Sequence, residues 1–180
     1  MEQKEKIRNI CYIGLFVAVI AVLAQISIPM PGGVPMTLQT FAIPLAGMVL
    51  GARRGAVASI VYLIVGAVGV PVFAGFSGGF ANVIGPTGGF LISFPLMALC
   101  AGLGMKKGGQ PAILGGLFLG ALLNYVCGTL WFMAVMGSSL AAALTACVIP
   151  FLPTAVLKII LVDLVGVRCK RLLVRAGVFA

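Results

Sequence analysis

Residues 76–91 read FSGGFANVIGPTGGFL, and the fold has to explain why this apolar stretch is so rich in glycine. Five of the sixteen residues are glycine and one is proline, yet almost all the others are apolar. Glycine-rich segments usually mark solvated turns or phosphate-binding loops. The sequence on both sides is apolar as well, so this segment must turn within nonpolar surroundings.

The composition of the chain indicates a membrane protein. Hydrophobic residues make up 62% of the 180 residues and charged residues only 8%, whereas about 25% of the residues in an ordinary soluble domain are charged. A membrane-spanning helix needs about 20 mostly apolar residues, so the chain has room for about six spans and for no separate soluble domain. We predict an all-α integral membrane protein, with residues 1–180 forming a single membrane-embedded domain.

The basic residues, which give a net charge of +9, predict the orientation of this domain. They cluster at residues 4–8, 53–54, 106–107 and 168–175, whereas the connections 29–37, 71–89 and 136–150 carry no charge. Six spans with both termini on one side bring all four clusters to that side, which the positive-inside rule assigns to the cytoplasm. We therefore expect cytoplasmic N- and C-termini and basic residues that face the lipid bilayer rather than nucleic acid.

The hydrophobic runs set the approximate limits of these spans. They are 9–28, 38–52, 55–70, 88–105, 111–135 and 143–167.

The two glycine-rich connections, 29–40 and 76–91, are predicted to be non-helical and to lie on the extracellular side. Backbone of this kind persists at membrane depth only where it is buried in protein or lines a cavity. The segment GPTGGF lacks the Gly-Lys-Ser/Thr ending of a phosphate-binding loop. Because glycine lets a backbone turn sharply and approach a ligand closely, residues 76–91 form either a structural turn or a lid over a ligand.

The residue types argue against metal binding and against catalysis. There is no histidine, and the five cysteines have no paired spacing of the kind that transition-metal sites use. An enzyme would need a nucleophile with its base, or two carboxyl groups within reach of each other. We predict no metal site and no catalytic residue.

One lysine lies outside the basic clusters, in FLPTAVLKIILVDLVG (151–166). This residue, Lys158, falls inside the sixth span, where a charge is costly and usually functional. Asp163 is five residues further on, about 140° around a helix, which is a poor spacing for an ion pair. We predict that Lys158 faces a ligand, the alternative being extension to the outer membrane interface. For Asp163 the alternatives are a neighbouring helix or Arg168.

The remaining candidate ligand-binding residues are polar or glycine-loop positions in otherwise apolar segments. They are Thr37, Gln39, Phe80, Asn82, Gly85, Asn124 and Tyr125. Together with Lys158 they would form a small outward-facing cavity with apolar walls and one cation, suited to a small, largely apolar anion with a hydrogen-bonding head. Each polar residue could instead make an ordinary interhelical contact.

Four motifs in a fixed order make the chain resemble a known family. They are VPMTLQ (34–39), GVPVF (69–73), FSGG (76–79) and GPTGGF (85–90), and the likeness extends from the first span to the sixth. In this respect the sequence is similar to the BioY family, the biotin-specific S components of energy-coupling factor (ECF) transporters.

The resemblance implies a fold, a ligand and partners. It implies the six-helix S-component fold in a prokaryotic plasma membrane, with biotin bound under the connections after spans one and three. It also implies a transmembrane coupling protein and two cytoplasmic ATPases as partners, so that ATP is used by those subunits and this chain needs no cofactor. Gly14, Ala18 and Ala21 match the small-residue pattern of the first helix that contacts the coupling protein.

The chain departs from the family pattern at one position. The family motif near the last helix resembles Pro-Gly-Asp-x-x-Lys, whereas residues 153–158 here read PTAVLK. The lysine is matched by Lys158, but Ala155 stands where the aspartate would accept hydrogen bonds from the ligand. Either Asn82, Asn124 or a backbone carbonyl of the loop substitutes for it, or the affinity for the ligand is weaker.

Two other kinds of function fit the composition less well. An S component for another small vitamin would share the architecture but not the VPMTLQ and GPTGGF pair. A structural membrane protein would have no use for an isolated lysine beside a glycine-lined cavity. Competition of biotin with riboflavin and thiamine discriminates among these alternatives.

Overall fold

The computed structural model describes residues 2–30 and 32–177. Met1, Pro31 and residues 178–180 lie outside the described residues, and with them the two ends of the predicted domain 1–180 and one proline of the 29–40 connection. The described chain forms α-helices joined by short connections. They are α1 (Glu2–Ala24), α2 (Gln39–Leu50), α3 (Ala52–Ala67), α4 (Phe80–Ile84), α5 (Gly88–Lys107), α6 (Gln110–Met136), α7 (Leu140–Cys147) and α8 (Leu152–Arg175). A two-stranded antiparallel ribbon pairs β1 (Ser27–Ile28) with β2 (Met36–Thr37).

Several helices have the length and apolarity of membrane spans. Within the described residues, four helical segments qualify: Gln3–Ala24, Gly88–Lys107, Gln110–Met136 and Leu140–Arg175, the last of which joins α7 to α8. Large apolar side chains such as Ile10, Val22, Phe118, Leu130 and Val156 are exposed on the outside of the helix bundle. A soluble protein rarely exposes so much apolar surface, whereas lipid tails accept it.

The centre of the bundle is α2, which is buried along almost its whole length and packs against α3, α5 and α8. The core around it joins side chains from α1, α2, α3, α5 and α6, among them Ile20, Ile43, Tyr62, Phe94 and Ala121. Because α2 is surrounded by protein, its apolar residues serve helix packing and not contact with lipid.

Glycines let α2, α3 and α5 approach closely. A Cβ added to Gly47 of α2 would overlap the carbonyl oxygen of Ala98 on α5, and a Cβ on Gly55 of α3 would lie 2.5 Å from the Cα of Gly47. On α5, Gly102 faces the backbone of Ala52 in the same way. Small residues at such crossings are typical of membrane helices, whose association depends on close packing.

The basic clusters lie at one end of the bundle, which we call the basic end. There the Nζ of Lys170, on α8, donates to the carbonyl of Val49 at the end of α2, at 3.2 Å. Nearby on α8, Asp163 is buried and accepts a hydrogen bond from the side chain of Gln110, the first residue of α6. Of the two alternatives for Asp163, the neighbouring helix is therefore correct, and this carboxylate belongs to helix packing.

The predicted span limits need two corrections. The first helix ends at Ala24 and not at residue 28, because Ser27 and Ile28 pair with β2. The predicted span 143–167 is broken, since α7 ends at Cys147 and a 3-10 turn, Ile149–Phe151, precedes α8. Pro150 and Pro153 explain the break, because proline interrupts a helix interior but is tolerated in a first turn.

Part of the glycine-rich segment 76–91 is helical. The expectation that it is non-helical is wrong for residues 80–84, which form α4, and for residues 88–91, which begin α5. The non-helical part is confined to 77–79 and 85–87, where Gly79 has a φ of 97° that favours glycine.

Candidate ligand-binding cavity

A cavity of about 310 Å³ opens at the end of the bundle opposite the basic end. Its walls come from the connection after α1, the turn after α3, the start of α5, and parts of α6, α7 and α8. The apolar walls include Phe73, Phe90, Phe94 and Phe151. Ligand pockets in proteins commonly measure about 300–1,000 Å³, so this cavity suits a small molecule.

Lys158 supplies the cationic group of the cavity. From α8 its Nζ donates to the carbonyl oxygen of Thr37 at 2.6 Å and to the Oγ1 of Thr40 at 3.0 Å. Both partners are neutral, so within the described residues no carboxylate offsets the charge of this ammonium group. The side chain points into the protein towards the start of α2, which does not fit the alternative of extension to the membrane interface.

Thr37 and Gln39 also line the cavity, but their side chains bond mainly to each other and to the core. The Oγ1 of Thr37 donates to the Oε1 of Gln39 at 3.0 Å. The Nε2 of Gln39 donates to the hydroxyl of Tyr62 at 2.6 Å. Direct ligand contact by Gln39 stays a prediction, and its evident role is to hold the β2–α2 corner.

Two asparagines, Asn82 and Asn124, line the cavity. Asn82, on α4, donates from Nδ2 to the carbonyl of Gly78 at 2.8 Å. Asn124, on α6 and only 2% exposed, donates from Nδ2 to the carbonyl of Phe90 at 2.9 Å and to the Oγ of Ser93 at 2.8 Å. Neither Oδ1 accepts a hydrogen bond from the described residues, so each is available to a donor on a ligand.

Tyr125 and Ala155 lie beside a smaller space that adjoins the cavity at Lys158. A separate space of about 20 Å³ adjoins Lys158 and is lined by Thr40, Asn124, Tyr125 and Ala155 among others. The hydroxyl of Tyr125 makes no hydrogen bond within the described part of the chain. Ala155, at which the sequence lacks the family aspartate, thus lines the same small space as Asn124 and Tyr125.

Two candidate residues, Phe80 and Gly85, do not line the cavity. Phe80 is 62% exposed on α4, and Gly85 accepts a hydrogen bond on its carbonyl from the indole Nε1 of Trp131 at 2.9 Å. The structure therefore brings six of the eight candidates to the cavity walls, namely Thr37, Gln39, Asn82, Asn124, Tyr125 and Lys158.

The GPTGG glycines have a packing role, which explains why this part of residues 76–91 is rich in glycine. A Cβ on Gly89 would collide with the side chain of Trp131, and one on Gly88 would overlap the carbonyl of Val83. These glycines let the start of α5 lie directly on α6 and on the end of α4. They thereby fix Asn82 and Phe90, which line the cavity on either side of the turn.

The small residues of α1 lie outside the cavity. Gly14 and Ala18 are exposed, and no atom lies within 4 Å of a Cβ added to Gly14. Ala21 is half-buried, and its carbonyl accepts a hydrogen bond from the Nε2 of Gln25 at 2.9 Å. Their spacing places all three on one side of the helix, and at Gly14 and Ala18 this side is open to a partner.

Nothing in the sequence singles out Gln25 or Tyr62, which link the connections at the cavity end of the bundle. Tyr62 is fully buried, and its hydroxyl donates to the carbonyl of Val72 at 2.9 Å. Gln25 donates to the same carbonyl at 3.2 Å. The only sequence feature that could have pointed to these two residues is that each is polar within an apolar run. Many residues that link no connections share this feature.

Comparison with known proteins decides the family. A family model described as the BioY family matches residues 1–175.

The chain belongs to the BioY family.

Curated relatives agree with the BioY assignment. The chain is 43% identical to a "Probable biotin transporter BioY" of Pyrococcus horikoshii, over 85% of this chain and 90% of that protein. It is 38% identical to "Biotin transporter BioY2" of Lactococcus lactis, over 95% and 94% of the two chains. These BioY relatives are named as transporters and not as enzymes, and the chain is accordingly a multi-pass membrane protein of a transporter family.

A solved structure also resembles this BioY chain. It is described as the S-component for biotin from an ECF-type ABC transporter and superimposes with a TM-score of 0.82 at 27% identity, covering 96% of this chain and 94% of the other. The resemblance predicted from the four motifs is thus confirmed, and the helical arrangement is that of an ECF S component.

Proposed function

We propose that this protein is the biotin-binding S component of an ATP-driven ECF-type vitamin uptake transporter. The observation that carries the proposal is the superposition, over nearly the whole chain, on an S-component for biotin. Named biotin transporters at 43% and 38% identity support the same ligand. The described residues also form a small cavity with one cation and two free amide oxygens, which suits a vitamin of this size and chemistry.

Biotin offers a carboxylate, a ureido head that both donates and accepts hydrogen bonds, and an apolar bicyclic body. Lys158 would hold the carboxylate by charge or the ureido oxygen by a hydrogen bond. The Oδ1 atoms of Asn82 and Asn124 would accept from the ureido N–H groups, and Asn124 is the nearer substitute for the carboxylate missing at Ala155. The phenyl rings of Phe73 and Phe90 would enclose the apolar body.

In this proposal the chain is one membrane-embedded domain with six spans, α1, α2, α3, α5, α6 and α8. The helix α2 has 12 residues and is about 18 Å long, shorter than the ~30 Å hydrocarbon core. The β-ribbon and the cavity would occupy the remaining depth on the extracellular side. The basic end would then face the cytoplasm of a prokaryotic cell.

Ligand competition tests the function. Purified protein in detergent is expected to bind labelled biotin, and unlabelled biotin should displace it while equimolar riboflavin or thiamine should not. Displacement by one of the other vitamins would show an S component of different specificity. Absence of biotin binding, with no biotin-dependent rise in the melting temperature, would overturn the proposal and leave a structural membrane protein as the alternative.

The proposed partners are a transmembrane coupling protein and two cytoplasmic ATPases. The open side of α1 supports contact with the first of these, because small residues let a second helix approach closely. ATP hydrolysis would take place on the ATPases, and this chain would need no cofactor of its own.

A bulky residue on this side of α1 is expected to block assembly and not ligand binding. Gly14→Leu should reduce co-purification with the co-expressed coupling protein and ATPases by about tenfold, while the biotin Kd stays within about twofold of wild type. Gly115→Leu is the matched control, because Gly115 of α6 is also exposed and has no atom within 4 Å of an added Cβ. Normal assembly of Gly14→Leu would exclude this side of α1 from the interface.

A further inference from the structure

We propose that Tyr62 is a positioning residue of the binding site, which holds the Lys158 ammonium group in place through a line of hydrogen bonds across the protein core. The proposal rests on the biotin-binding function proposed above. Tyr62 lies on α3, is 0% exposed and does not line the cavity. It can therefore act on a ligand only through other residues.

The first half of this line runs from the cavity to Tyr62. The Nζ of Lys158 donates to the carbonyl of Thr37 at 2.6 Å, and the Oγ1 of Thr37 donates to the Oε1 of Gln39 at 3.0 Å. The backbone N–H of Gln39 donates back to the same Oγ1 at 3.2 Å, which fixes the Thr37 side chain from both sides. The Nε2 of Gln39 then donates to the hydroxyl of Tyr62 at 2.6 Å.

The second half runs from Tyr62 to the turn after α3. The Tyr62 hydroxyl donates to the carbonyl of Val72, which also accepts from the Nε2 of Gln25. The Oε1 of Gln25 accepts from the backbone N–H of Phe76 at 2.8 Å. Phe76 has a φ of 55°, the one positive φ at a non-glycine residue in the described chain. The hydrogen bond that its N–H donates to Gln25 therefore holds a backbone conformation that few residues adopt.

One hydroxyl group therefore joins the two connections that enclose the cavity. The connection after α1 supplies the carbonyl that Lys158 contacts, and the turn after α3 supplies the walls Phe73, Ala74 and Ser77. Without the hydroxyl, the amide N–H of Gln39 loses its acceptor inside the protein. An unsatisfied buried polar group costs about 1–3 kcal/mol, so Gln39 would turn to another partner. Thr37 would move with it, and the acceptor of Lys158 would shift.

The test is Tyr62→Phe, which removes the hydroxyl and keeps the ring that packs edge-to-face on Phe73 with centroids 5.6 Å apart. We expect the biotin Kd, measured by titration calorimetry in detergent, to rise about tenfold. The matched control is Ser59→Ala, one turn earlier on α3. Ser59 is also 0% exposed, but its hydroxyl donates to the carbonyl of Gly55 within its own helix. Its loss should leave the Kd within about twofold of wild type.

A double-mutant cycle shows whether Tyr62 acts through Gln39. Gln39→Met removes the same bond from the other side and serves as the second variant if Tyr62→Phe does not fold. Each single variant should raise the Kd about tenfold, and the double variant should rise no further. Wild-type binding by Tyr62→Phe, or a double variant whose effects multiply, would overturn the positioning role. Failure of the wild-type protein to bind biotin would instead overturn the proposed function.

Discussion

Replacing Lys158 with alanine or methionine is expected to raise the biotin Kd at least tenfold, equivalent to about 1.4 kcal/mol. The ammonium group is the one cation among the residues that line the cavity, and hydrogen bonds to a charged group are worth about 1.5–3 kcal/mol. Its present partners, the Thr37 carbonyl and the Thr40 hydroxyl, are neutral. A ligand that presents an anionic or carbonyl oxygen would therefore gain a strong, partly desolvated donor.

Lys170→Met is the matched control for this prediction. Both lysines lie on α8 and donate to a backbone carbonyl, but Lys158 contacts Thr37 just before α2, whereas Lys170 contacts Val49 at the other end of α2, away from the cavity. Equilibrium binding of labelled biotin to the purified variants measures the effect, and Lys170→Met should bind as wild type does. Unchanged affinity of both Lys158 variants would remove Lys158 from the binding site.

The second large effect is expected at the crossing of α2 and α5. Gly47→Ala should destabilise the folded protein by about 1–3 kcal/mol, and Gly47→Val should prevent accumulation of folded protein. The added Cβ meets the backbone carbonyl of Ala98, and backbone, unlike a flexible side chain, cannot rotate out of the way. The two helices would have to separate, and Gly55 of α3, packed on the Cα of Gly47, would move with them.

Thermal unfolding followed by circular dichroism in detergent measures this loss. Gly115→Ala is the control, because no atom lies within 4 Å of the added Cβ. Alanine is also the better helix former, by about 1 kcal/mol. That variant should therefore melt at or slightly above the wild-type temperature. A Gly47→Ala protein with the wild-type melting temperature would show that α2 and α5 do not approach as closely as described.

Hydrophobicity and charge predicted much of the fold. Each apolar run between basic clusters contains at least one helix. Lipid cannot form hydrogen bonds with the backbone, so a chain in the bilayer must form them internally, as a helix does. The break at 148–151 was missed, although Pro150 and Pro153 were visible. A proline indicates that a helix is disturbed, but it does not indicate whether the helix kinks or ends there.

The candidate site was predicted in part. The residues that were wrongly included or left out have a common cause. Lys158 stood out because an isolated charge in an apolar span is costly wherever it lies. Phe80 and Gly85 are predicted from the glycine-rich segment that contains them, but neither residue lines the cavity. The hydrogen bond from Gln39 to Tyr62 joins residues on different helices. Which side chains meet across two helices depends on how each helix is rotated and shifted relative to the other. That arrangement cannot be read from a single sequence.

The contact of Trp131 with the GPTGG turn has a practical consequence. This side chain is the single tryptophan of the chain, and its indole N–H is bonded to Gly85 while its ring lies on Gly89. The tryptophan fluorescence of the protein therefore comes from one side chain, which lies against the turn at residues 85–89 beside the cavity. A displacement of this turn on ligand binding would change the emission of the unmodified protein, so such a movement could be followed in time without attaching a dye.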